Sequence, residues 1–469
     1  MGKYYLAVDI GASSGRHILG HLENGKIELE EIYRFENGMD HKDGKLLWNV
    51  DRLFGEILNG MKKCKELGKI PVSMAIDTWA VDYVLLDEQD RILGDTYGYR
   101  DHRTDGMDAE VAKILPETEL YGKTGIQKQI FNTVYQLMAV QQQTPELLQQ
   151  AKTLLMLPDY FGFRLTGNKL SEYTNGSTTQ LVNPDTFQWD KELIRKLGYP
   201  EDIFLPLQMP GTKVGQLLPE IQEEVGFDLE VVLCGSHDTA SAVMAVPQTE
   251  GDGIYISSGT WSLMGIESLK PIINEEAAVA NFTNEGGYDH RFRFLKNIMG
   301  LWMIQSVRHE YNDAYSFAQL CDMAEESKEF PSRVDVNDQS FLSPDSMVEA
   351  IKQYCRKTGQ PVPETVGELA SVVYRSLAQS YGETVSGLEK IAGRTYDSIH
   401  IIGGGSNAAY LNQLTADATG KTVYAGPGEA TAIGNLLAQM IHAGDLADLK
   451  SARKCVRESF EIKTFVPEK

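Results

Sequence analysis

Residues 7–16 read AVDIGASSGR, an apolar strand that ends in a carboxylate and runs into a turn of small residues. Small residues let backbone N–H groups approach the phosphates of a nucleotide, and serines add hydroxyl donors. The predicted phosphate-binding residues are Ala12, Ser13, Ser14, Gly15 and Arg16. Asp9 is placed to organise Mg²⁺ through water, since magnesium usually keeps part of its hydration shell. Taken alone, a plain hairpin with a capping aspartate explains the stretch equally well, and neither GxxxxGK[ST] nor GxGxxG is matched.

The residues around this stretch predict an antiparallel meander. Short strands at 4–10, 16–22 and 26–35 are interrupted by Asn24-Gly25, a strong hairpin signal. Helical spacing follows over 51–67, with Asp51 as the expected N-cap.

The second half of the chain repeats the strand, turn and strand pattern at 253–267, where SSGTWS (257–262) offers Thr260 to phosphates. Taken alone, this segment is better explained as an ordinary hairpin, and its value is that it is the second hairpin of this kind. IIGGGSN (401–407) then leads from a strand through three glycines, Gly403 among them, into a helix whose N-terminus favours an anion. Two similar halves facing each other across a cleft are the simplest interpretation.

CGSHDTASA (234–242) places Asp238 in a small-residue turn after a strand. Phosphoryl transfer to a hydroxyl needs a carboxylate that accepts the proton, and Asp238 fits that role. A helix N-cap is an equally good interpretation of Asp238, and the segment alone does not decide between them.

IDTWAVDY (76–83) and YRDHR (99–103) supply carboxylates, an aromatic face and a cation of the kind that bind sugars. The candidates are Asp77, Trp79, Asp82, Asp101 and Arg103. A core tryptophan and a solvated arginine are the ordinary alternatives for two of them.

Length and charge limit the possible functions. The 469 residues exceed what one hydrophobic core usually serves, and we expect domains at 1–246 and 247–469, with the boundary near 245–254. A net charge of -22 argues against a nucleic-acid partner. Five scattered cysteines disfavour a disulfide framework or structural zinc. No apolar run suits a signal peptide or membrane span, so we expect a cytoplasmic enzyme without a membrane partner.

Taken in order, these motifs resemble the FGGY family of carbohydrate kinases from residue 4 to about 440. DIGASSGR, IDTWAVDYVLLD, EYTNGSTTQL, SHDTASAV, SSGTWSLMG, NEGG, LKNIMGLW and IIGGGSN carry the resemblance. It implies an α/β fold of two actin-like (ribonuclease H-like) domains of the actin/Hsp70/hexokinase group around a central cleft. The first domain would carry the sugar site, the first phosphate loop and the catalytic aspartate, and the second the other phosphate hairpin and the adenosine site.

The resemblance also implies an activity and its residues. The γ-phosphoryl group of ATP would pass, with Mg²⁺, to the 1-hydroxyl of L-rhamnulose, and Asp238 would be the general base. ATP would be bound by residues 12–16, Thr260, Gln305 and Gly403. The sugar would be bound by Ala80, His237, Asp238, Thr239 and Asn297. Ala80 stands where the family often has glycine, and Ser406 where some members carry cysteine.

Two other functions remain open at this point. One is a kinase for L-fuculose or a pentulose, which pocket residues would decide. The other is an actin- or Hsp70-like nucleotide switch that acts without a sugar. Both monomers and homodimers occur among such kinases, and the sequence favours neither.

Overall fold

The computed structural model describes residues 2–249 and 252–468. Contacts divide the chain into unit 1 (Met1–Ala245, Glu267–Phe294 and Thr431–Ser459) and unit 2 (Val246–Ile266, Leu295–Ala430 and Phe460–Lys469). The sequence-based division at residues 246 and 247 misses two returns of the chain to unit 1, over 267–294 and 431–459. The expected linker includes residues 250 and 251, which lie outside the described residues.

The strands are numbered in chain order. They are β1 (Tyr4–Ile10), β2 (Ser14–Glu23), β3 (Lys26–Glu36), β4 (Asp40–Lys42), β5 (Lys45–Leu47), β6 (Pro71–Thr78), β7 (Tyr83–Leu86), β8 (Thr153–Met156), β9 (Ser171–Glu172), β10 (Val182–Asn183), β11 (Gln188–Trp189), β12 (Leu207–Gln208), β13 (Lys213–Gln216), β14 (Glu230–Val232), β15 (Ile254–Ser258), β16 (Trp261–Ser268), β17 (Thr283–Gly286), β18 (Phe292–Met299), β19 (Ser398–Ile402), β20 (Thr422–Ala425) and β21 (Lys463–Phe465).

The α-helices are α1 (Val50–Glu66), α2 (Met107–Ile114), α3 (Glu117–Thr124), α4 (Thr133–Gln143), α5 (Pro145–Gln150), α6 (Leu157–Thr166), α7 (Tyr173–Ser177), α8 (Lys191–Lys196), α9 (Pro219–Val225), α10 (Asp238–Met244), α11 (Glu275–Val279), α12 (Trp302–Glu310), α13 (Phe317–Glu326), α14 (Met347–Lys357), α15 (Val366–Ala392), α16 (Ala409–Thr419), α17 (Ala430–His442) and α18 (Leu449–Ser459). Single 3₁₀ turns lie at His102–Thr104, Glu201–Ile203, Gln339–Phe341 and Gly404–Asn407.

The main sheet of unit 1 has the strand order β13-β14-β6-β1-β2-β3. β1, β2 and β3 pair antiparallel and β6 runs parallel to β1, so the predicted opening meander is confirmed. The turn between β2 and β3 has φ angles of 52° at Asn24 and 79° at Gly25. Positive φ at both central residues is what a type I′ hairpin turn requires.

The helix predicted over 51–67 is α1, but the prediction that Asp51 caps it is wrong. The cap is Asn49, whose side-chain oxygen accepts a hydrogen bond from the Arg52 N–H at 3.0 Å. Asp51 lies in the first turn, where the helix dipole favours a negative charge. The predicted apolar face is buried as expected, at Leu53, Phe54, Ile57, Leu58 and Met61.

The two faces of β1 contact different helices because side chains alternate along a strand. Leu6 and Val8 belong to the core that includes α1. Tyr5 and Ala7 pack instead with Leu436 and other residues of α17. A helix from near the end of the chain therefore covers one face of the first strand.

Unit 2 repeats the local pattern of unit 1. Its strands belong to a sheet with the order β17-β18-β16-β15-β19-β20-β21. β15 and β16 form an antiparallel hairpin, and β19 runs parallel to β15. The predicted second hairpin and the strand into the glycine turn are thus confirmed.

Within residues 2–249 and 252–468, no helix combines the length and the apolar character that a membrane span requires.

Candidate active site

The turn between β1 and β2 is held by the residue that follows β3. The Gly11 N–H donates to the Ser14 carbonyl oxygen at 2.8 Å, and the Asn37 N–H donates to the Ser13 carbonyl oxygen at 2.9 Å. The Asn37 side-chain amide donates to the Gly11 carbonyl oxygen at 2.8 Å. Within the described chain, the N–H groups of Ala12 and Ser13 have no partner, so a bound anion can use them.

Arg16 and Asp9 face each other across the β1–β2 ladder. Nη2 of Arg16 lies 2.9 Å from Oδ2 of Asp9, and Nε donates to the same oxygen at 3.0 Å. Burial raises the pKa of Asp9, the Arg16 charge opposes that rise and the Asp238 charge adds to it. The turn therefore has a cation and a carboxylate at its base.

Gly15 has a packing role of its own. A Cβ at this position would lie 2.1 Å from the ring of Phe35, its partner on β3. A larger residue would displace that ring whether or not a nucleotide is bound.

Asp77 lies beside Asp9 in the parallel register of β1 and β6. The Asn435 amide donates to Oδ2 of Asp77 at 2.6 Å, while Oδ1 meets no donor among the described residues. Burial, reinforced by the charge of Asp9, raises the pKa of Asp77 well above its usual value. Asp77 therefore holds its proton more tightly than an ordinary aspartate does.

Asp238 is the first residue of α10, next to the end of β6. His237 holds the N-cap position, so the simple N-cap interpretation of Asp238 is wrong. The Thr239 N–H and hydroxyl both donate to Oδ1 of Asp238, the hydroxyl at 3.0 Å. The side chain of Asp238 remains 35% exposed. It is thus a carboxylate held at one oxygen and open to a ligand.

A buried glutamate, which the sequence analysis missed, fixes the backbone before Asp238. Oε2 of Glu172 accepts from the Ser236 hydroxyl at 2.6 Å and from the Ser236 N–H at 3.2 Å. The Thr174 N–H and hydroxyl donate to the same carboxylate at 2.7 and 2.6 Å. The sequence signal was a glutamate followed by small polar residues in EYTNG, but its partner lies 64 residues away.

A second missed group contacts His237. Nη2 of Arg293 lies 3.1 Å from Nδ1 of His237 and 3.1 Å from Oε2 of Glu285. Both charged side chains are buried, and both belong to the segment over 267–294 that returns to unit 1. Burial acts to raise the pKa of Glu285, but the charge of the adjacent Arg293 and the contact with His237 together outweigh it, and the pKa is lowered. Glu285 therefore stays ionised beside the arginine.

The turn that carries Ala80 has an unusual backbone conformation at the next residue. Val81, the next residue, has φ of 68°, a left-handed conformation that a β-branched residue rarely adopts. The Val81 carbonyl oxygen accepts from the Thr133 hydroxyl at 2.7 Å and from the Gln136 amide at 3.2 Å. Such conformations persist where surrounding contacts enforce them, and they cluster at functional sites.

Asp82 anchors this turn. Its Oδ2 accepts from the indole N–H groups of Trp48 at 2.6 Å and Trp79 at 2.9 Å, and from the Tyr99 N–H at 3.0 Å. Burial raises the pKa of Asp82 to about 6 in spite of these donors. Asp82 and Trp79, predicted as sugar-binding candidates, are therefore buried supports of the turn.

Asp101 and Arg103, the other candidates from this region, also have structural partners. Asp101 accepts from the Leu46 N–H at 2.8 Å and from the Arg103 N–H at 2.7 Å. The Arg103 guanidinium lies 4.0 Å from the ring centroid of Tyr97.

In unit 2, the predicted nucleotide residues Thr260 and Gly403 lie at adjoining turns. A Cβ on Gly403, whose φ is 81°, would lie 2.9 Å from the Ser258 carbonyl oxygen at the end of β15. The glycine turn after β19 therefore packs directly on the hairpin that carries Thr260. Thr260 itself is exposed.

Gln305 and Asn297 lie close to this hairpin along the chain and in space. α12, which carries Gln305, begins where the Trp302 N–H donates to the Thr260 carbonyl oxygen at 3.1 Å. Asn297 lies on β18, and its buried Oδ1 has no partner among the described residues. An unpartnered buried amide oxygen is costly unless a ligand satisfies it.

The structure thus groups the predicted residues within each unit. Unit 1 holds Asp9, the turn at 12–16, Ala80 and residues 237–239. Unit 2 holds Thr260, Gln305, Gly403 and Asn297. Within the described residues, no three carboxylate, imidazole or thiol side chains are grouped as a metal site.

Family models identify the class of protein that this arrangement represents. The N-terminal domain model of the FGGY family of carbohydrate kinases matches residues 4–245, and the C-terminal domain model matches residues 254–443. The chain therefore belongs to the FGGY family of carbohydrate kinases, which are ATP-dependent enzymes, as the sequence motifs predicted.

Three curated relatives with the same name are similar to nearly the whole chain. The chain is 54% identical to the rhamnulokinase of Halalkalibacterium halodurans over 99% of both chains. It is 51% identical to the rhamnulokinase of Oceanobacillus iheyensis, over 99% of this chain and 98% of the relative. It is 47% identical to the rhamnulokinase of Bacillus subtilis, over 99% of this chain and 95% of the relative.

Solved structures of other sugar kinases share the fold. A ligand-bound xylulose kinase from Lactobacillus acidophilus aligns with a TM-score of 0.80 at 16% identity, over 99% of this chain and 94% of that one. Plasmodium falciparum glycerol kinase with ADP aligns with a TM-score of 0.78 at 14% identity, over 100% and 94%. The predicted α/β fold of two domains of the actin-like class is confirmed.

Proposed function

We propose that this chain transfers the γ-phosphoryl group of ATP to the 1-hydroxyl of L-rhamnulose, forming L-rhamnulose 1-phosphate in the breakdown of L-rhamnose. The observation that carries the proposal is the match to curated rhamnulokinases along nearly the whole chain, at 54% identity in one case. A kinase for L-fuculose or a pentulose is less well supported, because the three relatives described above are all rhamnulokinases. A nucleotide switch without a sugar substrate is not favoured by membership of a carbohydrate kinase family.

Asp238 is the proposed general base. Its carboxylate is partly exposed and sits at the N-terminus of α10, and Glu172 fixes the backbone before it. The 1-hydroxyl oxygen of the sugar attacks the γ-phosphorus, the bond to the β,γ-bridging oxygen breaks, and ADP leaves. The hydroxyl proton passes to Asp238.

The proposed ATP-binding residues come from both units. The free N–H groups of Ala12 and Ser13, with Ser14, Gly15 and Arg16, suit phosphate oxygens. Unit 2 would contribute Thr260, Gln305 and Gly403. Gly403 can approach a nucleotide closely because it carries no side chain.

The proposed sugar-binding residues are Ala80, His237, Asp238, Thr239 and Asn297. The strained turn at Val81 supports a role for Ala80, and the unpartnered Oδ1 of Asn297 supports a polar ligand there. His237 has an imidazole that three polar neighbours orient.

Mg²⁺ is compatible with the residues at the phosphate turn if most of its ligands are phosphate oxygens and water molecules. Asp9 supplies one hard oxygen ligand of the type that magnesium prefers, and its pairing with Arg16 suits contact through water. When bound, Mg²⁺ neutralises phosphate charge. The further prediction is a cytoplasmic enzyme that acts as a monomer or homodimer.

The experiment that tests the proposal is a coupled ADP-release assay with Mg-ATP on L-rhamnulose, L-fuculose, L-ribulose, D-xylulose and glycerol. We expect a strong preference for L-rhamnulose. Preference for another ketose would replace the substrate and keep the kinase, while ATP turnover that no sugar stimulates would overturn the proposal.

A further inference from the structure

Four charged or titratable side chains form a row that ends at the proposed base. Arg293 is fully buried, and its Nη2 lies 3.1 Å from Oε2 of Glu285 and 3.1 Å from Nδ1 of His237. On the other side of the imidazole ring, Nε2 of His237 lies 3.4 Å from Oδ1 of Asp238. All four belong to unit 1.

The position of Arg293 decides where the imidazole carries its proton. A guanidinium only donates hydrogen bonds, so Nδ1 of His237, which it contacts, must accept. Nδ1 then has no proton, and the proton of the neutral ring is on Nε2. Oε2 of Glu285 lies farther from Nδ1, at 3.4 Å, than Arg293 does. A proton on Nδ1 would also face the arginine charge at 3.1 Å inside the protein.

Glu285 compensates the buried charge of Arg293. A buried arginine without a counter-charge would be strongly destabilising, and the adjacent carboxylate compensates it. The pair is neutral overall, so the arginine can approach the imidazole without imposing a net charge on the site.

The two oxygens of Asp238 have different surroundings. The Thr239 N–H and hydroxyl donate to Oδ1, and Nε2 of His237 faces the same oxygen. Among the described residues, no donor and no cation contacts Oδ2. An oxygen without donors is the more basic of the two and is free to approach a hydroxyl.

We propose that Arg293, with Glu285 as its counter-charge, is a positioning residue that holds His237 in the Nε2–H tautomer, and that Oδ2 of Asp238 is the oxygen that takes the sugar proton. The Nε2–H then lies beside Oδ1, where it can donate to Asp238 or to a sugar oxygen. This inference deepens the proposed function and rests on it for the role of Asp238. The proton of the 1-hydroxyl moves to Oδ2 as the oxygen–phosphorus bond forms and ADP departs.

The tautomer is measurable on the wild-type protein without any sugar. Uniformly ¹⁵N-histidine-labelled protein gives long-range ¹H–¹⁵N correlations that distinguish a protonated from an unprotonated ring nitrogen. The His237→Gln variant identifies the signals of His237. We expect an unprotonated Nδ1 and a protonated Nε2 at neutral pH. A protonated Nδ1 in the wild type would overturn the inference, whichever sugar the enzyme prefers.

Two variants separate positioning from mere packing. In Arg293→Met, Nδ1 loses its donor and faces Glu285, so we expect a proton on Nδ1 and a fall in kcat of about 10- to 100-fold. In Glu285→Gln, Arg293 still donates to Nδ1, so we expect the wild-type tautomer. Arg293→Lys can still donate and should recover part of the activity.

The matched control is Glu201→Gln, which removes the partly exposed partner of Arg195 in unit 1 and should change neither tautomer nor kcat. If Arg293→Met folds and keeps both the Nε2–H tautomer and the wild-type kcat, the positioning role is refuted. If Arg293→Met does not fold, the tautomer measured on the wild-type protein still tests the inference. A sugar panel with an unexpected preference would refute the proposed substrate while leaving the tautomer result intact.

Discussion

Gly434 of α17 lies so close to Ser241 of α10 that a Cβ on the glycine would be 1.7 Å from the serine carbonyl oxygen. The two helices thus pack backbone against backbone. Because α10 begins with Asp238, the glycine on α17 helps to determine where the proposed base lies.

Gly434→Ala should therefore lower both stability and activity. The methyl group must displace backbone, which costs about 1–3 kcal/mol of unfolding free energy, and the shift of α10 should lower kcat. Urea unfolding and the ADP-release assay measure the two effects. Gly122→Ala on α3, where a Cβ meets nothing within 4 Å, is the control. Wild-type values for Gly434→Ala would contradict the close packing.

Two glycines of α1 should respond oppositely to the same substitution. A Cβ on Gly60 would lie 2.2 Å from the buried ring of His17, whereas one on Gly55 meets nothing within 4 Å. Gly60→Ala should lose about 1–3 kcal/mol through overpacking. Gly55→Ala should gain up to about 1 kcal/mol from helix propensity. Denaturant unfolding of the two variants side by side tests this, and equal changes would refute it.

Asp238→Asn should remove the proton acceptor and leave binding intact. We expect kcat to fall by about 10²- to 10⁴-fold, with ATP affinity within a few-fold of wild type. Initial rates and calorimetric ATP titration give the two quantities. Asp202→Asn, an exposed substitution in the same unit, should be silent. An unchanged rate in Asp238→Asn would exclude this residue as the base.

Asp82 should make stability depend on pH. Its pKa is about 6 in the folded protein, against an ordinary value of 3.8, so the native state holds the proton more tightly than the unfolded chain does. The stabilisation that the protonated Asp82 contributes is fully present below the unfolded-state pKa of 3.8, and it is lost as the pH rises through 6. The unfolding free energy of wild type minus that of Asp82→Asn should fall by about 2 kcal/mol from pH 4 to pH 7. A constant difference over that range would contradict the shift.

The glycine turn of unit 2 allows a test of nucleotide binding. A side chain at Gly404 meets nothing within 4 Å, whereas one at Gly403 would strike the Ser258 carbonyl oxygen. Gly404→Ala should therefore fold normally, and Gly404→Asp should raise the Michaelis constant for ATP by charge repulsion with phosphates. A wild-type Michaelis constant for ATP in Gly404→Asp would show that the nucleotide does not bind at this turn.

Local signals in the sequence predicted much of the fold. Asn24-Gly25 fixed the first hairpin, the spacing from Leu53 to Met61 marked the buried face of α1, and the small residues after Val232 marked the turn into α10. Each of these depends on neighbours within a few residues, where propensity and periodicity act.

Distant partners explain what the sequence did not reveal. Asn435 is 358 residues from Asp77, and Arg293 is 56 residues from His237. No local pattern links such pairs, since only the folded chain brings them together. The wrong cap at Asp51 has a smaller cause: Asn49, two residues earlier, is an equally good cap, and the strand and turn before it set where the helix starts.

The return of residues 431–459 to unit 1 has a consequence for biosynthesis. A nascent chain that has left the ribosome only as far as residue 245 lacks α17, so one face of β1 is uncovered at Tyr5 and Ala7. Its Leu6 carbonyl oxygen also awaits Gln439, 433 residues later. Unit 1 therefore completes its fold only after residues 431–459 have been synthesised, and until then this apolar face of the sheet stays exposed.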